Sequence, residues 1–129
     1  MKTKILLIDD DLICNMANER MMRNMGLAIE TKSFIDPTQA LDFLEKGTEH
    51  FDLILLDINM PRLNGWEFLD RYILLKVRFP ICMLTSSIDE NDQKRANSYT
   101  ILSGYYVKPL RKDDLLNIFA TLQINTYPI

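Results

Sequence analysis

The sequence predicts an α/β domain: a doubly wound, five-stranded parallel sheet in the order 2-1-3-4-5, with helices on both faces. Three observations lead there. Strand and helix patterns alternate five times over 129 residues, with no linker or low-complexity stretch between them. Three segments are unbroken apolar runs ending at a polar group: Ile5-Leu6-Leu7-Ile8 before Asp9, Leu53-Ile54-Leu55-Leu56 before Asp57, and Ile81-Cys82-Met83-Leu84 before Thr85. Such runs mark parallel strands buried on both faces, so these three belong in the middle. The strand pattern Ile29–Phe34 is interrupted by Glu30, Thr31, Lys32 and Ser33, which suits an edge.

The elements follow in order. The first strand is Lys4–Asp9, and its helix runs from about Leu12 to Asn24, with Asp11 as its cap and Met25-Gly26 as its stop. After the edge strand, the second helix opens on Asp36-Pro37, a cap and a first-turn proline. It repeats apolar residues at Ala40, Leu41 and Leu44 and ends at Gly47. The third helix carries Trp66, Leu69 and Ile73 at helical spacing. The fourth, near Asp89–Ser98, has little apolar stripe beyond Ile88, Ala96 and Tyr99, and is expected to be the most mobile element. Where it ends, within Ser98–Gly104, stays open. Gly104-Tyr105-Tyr106-Val107 closes the sheet, and the fifth helix shows a clear stripe at Leu115, Leu116, Ile118, Phe119 and Leu122.

Composition bounds the function. At 47% hydrophobic, 26% charged and a net charge of -3, the chain suits one soluble domain spanning residues 1–129, able to bury a core without disulfides or a structural metal. Mild acidity argues against direct nucleic-acid binding. Cys14 and Cys82 read as buried free thiols in a reducing compartment. Met1-Lys2-Thr3-Lys4 leads into only four apolar residues, too few for a signal core or a membrane span, so a cytoplasmic location without membrane insertion is expected. Met16, Met21, Met22 and Met25 are expected as core filler on the first helix, and His50 as a surface residue.

Open α/β sheets bind ligands outside the carboxyl ends of their strands, at the switch in strand order. Here strands 1 and 3 flank that switch, so Asp10 and Asp57 should face each other across it, with Asp9 and Thr85 on the same edge. Crowded carboxylates repel, and a hard cation with oxygen ligands relieves them. A strand-end aspartate alone is often a cap or a turn residue, and Lys108 alone would be a solvated lysine. The set together favours a site.

These residues resemble the receiver domain of bacterial two-component response regulators. The resemblance runs along the whole chain and rests on Asp9-Asp10, Asp57 in "LLDINMPRLNG", Thr85 in "MLTSS" and Lys108-Pro109 in "YYVKPL". The intervals from Asp10 onward are 47, 28 and 23 residues. It implies a flavodoxin-like, chemotaxis-regulator-like single domain with no effector domain. It further implies that Asp57 is a phosphoacceptor, loaded by a sensor histidine kinase or a phosphotransfer protein and acting on a downstream protein target. Mg²⁺ (or Mn²⁺) would be held by Asp10, Asp57 and the backbone carbonyl of Asn59, with Asp9 acting through water. Lys108 and Thr85 would contact phosphoryl oxygens. Thr85 and Tyr105 would form a switch that alters the face made by the fourth helix, fifth strand and fifth helix. Such a domain is not an enzyme on an external substrate, though it assists its own phosphorylation and dephosphorylation.

Two other readings compete. A dehalogenase-like phosphatase with an aspartyl nucleophile needs a second aspartate two residues on as general acid; Asn59 stands there, and an amide cannot supply that proton. A receiver-like binding module that is never phosphorylated would typically have lost Asp57, the acidic pair or Lys108, and all are present.

Overall fold

The computed structural model describes residues 2–124; Met1 and residues 125–129, included in the expected domain, lie outside the described residues. Five strands alternate with five helices: β1 (Thr3–Ile8), α1 (Leu12–Asn24), β2 (Ile29–Phe34), α2 (Pro37–Lys46), β3 (Leu53–Asp57), α3 (Gly65–Tyr72), β4 (Ile81–Thr85), α4 (Glu90–Ser98), β5 (Leu102–Val107) and α5 (Lys112–Leu122). All pairings are parallel, in the order β2-β1-β3-β4-β5.

Strand alternation divides the core in two. Leu6, Ile8, Ile54, Leu56, Ile81 and Met83 face one side and pack with Ala40, Leu44, Phe68, Leu69 and Tyr72 of α2 and α3. Ile5, Leu7, Leu53, Leu55, Cys82 and Leu84 face the other and pack with Met22 of α1 and Leu115, Ile118 and Phe119 of α5. Every residue of β3 and β4 is buried, as the apolar runs require.

The helix ends follow their caps. Asp11 accepts from Ile13 N and Cys14 N, Asp36 from Thr38 N, and Asp89 from Asn91 N. Gly47 closes α2 in the left-handed region at φ 64, where glycine carries no Cβ penalty. Gly65 serves close approach instead. A Cβ there would lie 2.9 Å from both the Asp57 carbonyl oxygen and Ile58 Cα, so only glycine lets α3 begin against the end of β3.

Several side chains depart from expectation. On α3 Trp66 and Leu69 are buried as expected, but Tyr72 takes the inward place expected of Ile73, which caps the helix and is exposed. Met22 is fully buried, whereas Met16 is exposed and lies outside the core. Cys82 is buried, but Cys14 only partly so. β5 starts two residues early, because Ile81 pairs Leu102 and Cys82 pairs Gly104, leaving Ser103 as an inserted residue.

Helix α4 buries only Ala96, and Ile88 before it stands in solvent. A fully buried leucine stabilises by about 1.5–3 kcal/mol, so a helix lacking one has little packing to hold it. Its C-terminal end is nonetheless tethered by Tyr99. The Tyr99 ring stacks on Trp66 at 5.6 Å between centroids, and its hydroxyl donates to Asp70 at 2.9 Å. The Arg95 guanidinium lies 4.9 Å over the Trp66 ring.

Candidate functional site

Sheet register assembles the site. Ile8 pairs Leu56, so the next residues, Asp9 and Asp57, emerge side by side. Asp57 pairs Leu84, which puts Thr85 one step beyond it, and Thr85 pairs Val107, which puts Lys108 at the same edge. The Lys108 N–H extends that ladder to the Thr85 carbonyl at 2.7 Å. Residues scattered over 99 positions of sequence are thereby brought to one crevice.

Asp9, Asp10 and Asp57 each offer a carboxylate oxygen within 4.8 Å of the others. Asp9 and Asp57 are buried, while Asp10 is exposed at the mouth. Lys108 bridges the buried pair: its Nζ lies 2.7 Å from Asp9 Oδ2 and 3.1 Å from Asp57 Oδ1. The other Asp9 oxygen accepts from Asp11 N at 2.9 Å. Asp57 Oδ1, though paired in charge with Lys108, is buried and accepts no hydrogen bond.

The charges respond to this crowding. Burial, and then the Asp9 charge, push the Asp57 carboxyl up to about 6, against the opposing pull of Lys108. Burial lowers the Lys108 ammonium, but Asp9 and Asp57 outweigh it and hold the pKa above its ordinary value. Burial, reinforced by the Asp9 carboxylate, lifts the Cys14 thiol to about 11, so it remains protonated.

Of the remaining expected site residues, Thr85 is wholly buried at the strand end, and its Oγ1 accepts from Ser87 N at 3.0 Å. Asn59 is exposed, and its amide donates to Ser86 Oγ at 3.3 Å. Tyr105 packs among the side chains shared with α2 and α3, and Tyr106 among those of α1 and α5, so the two rings lie on opposite sheet faces. The Tyr105 hydroxyl is buried without a hydrogen-bond partner. Burial raises its pKa, the Thr85 hydroxyl opposes this, and Asp92 and Asp89 add to it. His50 is exposed, away from this edge, beside Asp52.

Sequence reasoning missed Asn15, a wholly buried amide whose Nδ2 donates to the Asp9 carbonyl at 3.0 Å. The signal was available: Asn15, Asn18 and Met22 occupy one inward stripe of α1.

The donor set suits a small divalent cation. It offers three carboxylates, and one buried carboxylate oxygen lacks a hydrogen bond. Among the described residues no helix is long and apolar enough to cross a membrane.

Comparison with known proteins agrees with this geometry. The chain is 31% identical over 123 residues to the two-component response regulator ARR14 of Arabidopsis thaliana, covering 90% of this chain and 30% of that protein. It is 30% identical over 118 residues to the cell cycle response regulator CtrA of Brucella abortus, covering 88% of this chain and 47% of that protein. It thus spans less than half the length of either relative. Among solved structures, a two-component response regulator from Cytophaga hutchinsonii superposes with a TM-score of 0.84 at 30% identity, covering 97% of this chain and all of that one. The chemotaxis protein CheY4 of Vibrio cholerae gives 0.73 at 25% identity, covering 95% and 99%. The response regulator receiver domain profile matches residues 5–120. The chain belongs to the response regulator receiver domain family.

Proposed function

We propose that Asp57 is a phosphoacceptor, loaded by a sensor histidine kinase or a phosphotransfer protein in a reaction that needs Mg²⁺ or Mn²⁺. The observation that carries this reading is the Asp57 carboxylate itself: buried, fixed at a strand end, with a lysine ammonium 3.1 Å from its Oδ1 and the Asp9 and Asp10 carboxylates beside it. A carboxylate oxygen attacks phosphorus, the O–P bond forms as the donor's P–N bond breaks, and the bond pair leaves with the imidazole nitrogen.

Such transfers are governed by positioning and charge neutralisation. Asp10, Asp57 and the Asn59 carbonyl would hold the cation, with Asp9 acting through water. Held there, the cation would supply the positive charge that neutralises the transferring group. Lys108 is placed to follow a phosphoryl oxygen, and Thr85 to offer its hydroxyl to another. Movement of Thr85 changes the surroundings of the Tyr105 hydroxyl. The face made by α4, β5 and α5 is then the surface presented to a downstream protein.

Acetyl phosphate with Mg²⁺ should add one phosphoryl group that hydroxylamine removes, and Asp57→Asn should abolish it. Undiminished labelling of that variant would overturn the assignment. Beryllofluoride should shift NMR signals from α4 through α5, including Tyr105; shifts confined to the loops around Asp57 would place the output elsewhere.

A further inference from the structure

Helix α1 turns Asn15, Asn18 and Met22 inward, and two of these three are amides. Their spacing is the stripe on which an amphipathic helix ordinarily carries leucine or isoleucine. A buried amide loses its hydration and is tolerated where protein groups replace it. For Asn15 the replacement is specific. Its Nδ2 donates to the Asp9 carbonyl at 3.0 Å and reaches the Phe34 carbonyl at 3.4 Å. The Asp9 N–H donates to that same Phe34 carbonyl at 3.1 Å. One side chain thus ties the ends of β1 and β2 to the first turn of α1.

The peptide held in this way joins Asp9 to Asp10. Its carbonyl is fixed by Asn15, and just beyond it the Asp11 N–H is fixed by Asp9 Oδ1 at 2.9 Å. The Asp10 side chain is exposed and makes no hydrogen bond or ion pair among the described residues. Its backbone therefore fixes the Cα–Cβ direction from which the carboxylate, free to choose its rotamer, reaches into the crevice.

We propose that Asn15 is a positioning residue for metal binding by the acidic pair. By fixing the Asp9–Asp10 peptide plane, it sets the Asp10 Cα–Cβ direction and so keeps its carboxylate within reach of a cation shared with Asp57. This rests on the phosphoacceptor reading above and names a residue that sets the metal affinity of that site. Residues behind the ligands commonly tune metal sites in this way.

The test titrates Mg²⁺ into the full chain and into Asn15→Ala and Met22→Ala, following Trp66 fluorescence, with thermal unfolding of each measured without metal. Met22→Ala removes core packing from the same helix and leaves the bonds around the acidic pair intact, so it reports destabilisation alone. Asn15→Ala should weaken Mg²⁺ binding about tenfold. Its slowed labelling by acetyl phosphate should recover at saturating Mg²⁺, and Met22→Ala should bind Mg²⁺ as the parent does. If Asn15→Ala does not fold, Asn15→Leu, which keeps the volume and removes the donor, is judged by the same comparison. An affinity within twofold of that of Met22→Ala would overturn the proposal and leave Asn15 as a core amide. A parent chain that binds no Mg²⁺ and takes no label would overturn the phosphoacceptor reading, and this inference with it.

Discussion

The Lys108 ammonium lies 2.7 Å from the Asp9 carboxylate, across 99 residues of chain. It therefore fills the crevice with positive charge before any other cation arrives, and it opposes the charge that the site is proposed to recruit. Removing it should separate two properties that ordinarily fall together. Lys108→Met should bind Mg²⁺ more tightly, by several-fold, because a competing charge is gone. It should label with acetyl phosphate about a hundredfold more slowly, because a donor to the transferring group is gone. Titration and labelling on one preparation check both; a parallel loss of the two would show that Lys108 only maintains the fold.

Stability should depend on pH through Asp57. Its folded pKa, raised to about 6, lies above the ordinary carboxyl value of 3.8. The sign follows: protonation is favoured by folding, so the contribution is fully present below 3.8 and is lost as pH rises through 6. The metal-free chain should lose up to about 3 kcal/mol relative to Asp57→Asn across that window. The raised Lys108 pKa acts only at alkaline pH, outside it. Urea unfolding of both proteins in chelator, from pH 4 to 8, measures the difference, and a constant gap would contradict the charge balance described here.

Gly65 should resist substitution. The contacts a Cβ would meet at 2.9 Å are backbone atoms of Asp57 and Ile58, which cannot rotate away. Gly65→Ala should cost about 1–3 kcal/mol. Because the strain falls on the Asp57 peptide, labelling should also slow beyond what the lower Tm explains. Gly47→Ala, strained at a distant helix end, is the control.

Tyr99 should govern the mobility of α4. Tyr99→Ala removes a ring stack worth roughly 0.5–1.5 kcal/mol and leaves Ala96 as the buried contact of the helix. Amide exchange over Glu90–Ser98 should quicken about tenfold with little change in Tm. Tyr99→Phe, which keeps the stack, should exchange close to the parent rate.

Much of this was legible in the sequence wherever one physical demand acted alone. Burial on both faces leaves the run ending at Asp57 only one reading, and the pair Asp36 and Gly47 bounds α2 because each satisfies a different orphaned end. The crevice followed, since alternation and strand order together place strand ends. What escaped depends on neighbours distant in sequence. The early start of β5 is decided by its pairing with Ile81 and Cys82, not by its own residues. Tyr72 replaces Ile73 in the core because α3 stops there. Asn15 escaped because a search for apolar stripes passes over amides, although a polar residue on an inward stripe is the more informative sight.

Tyr99 gives α4 an uneven attachment: firm where the helix runs out toward β5, slight along the rest of its length. An attachment of this kind would let the helix tilt as a lever does, with its C-terminal end as the fulcrum and the Asp89 end sweeping the wider arc. Because the fulcrum rests on Trp66 at the start of α3, the chain's single tryptophan sits at the pivot and should register that tilt in its emission.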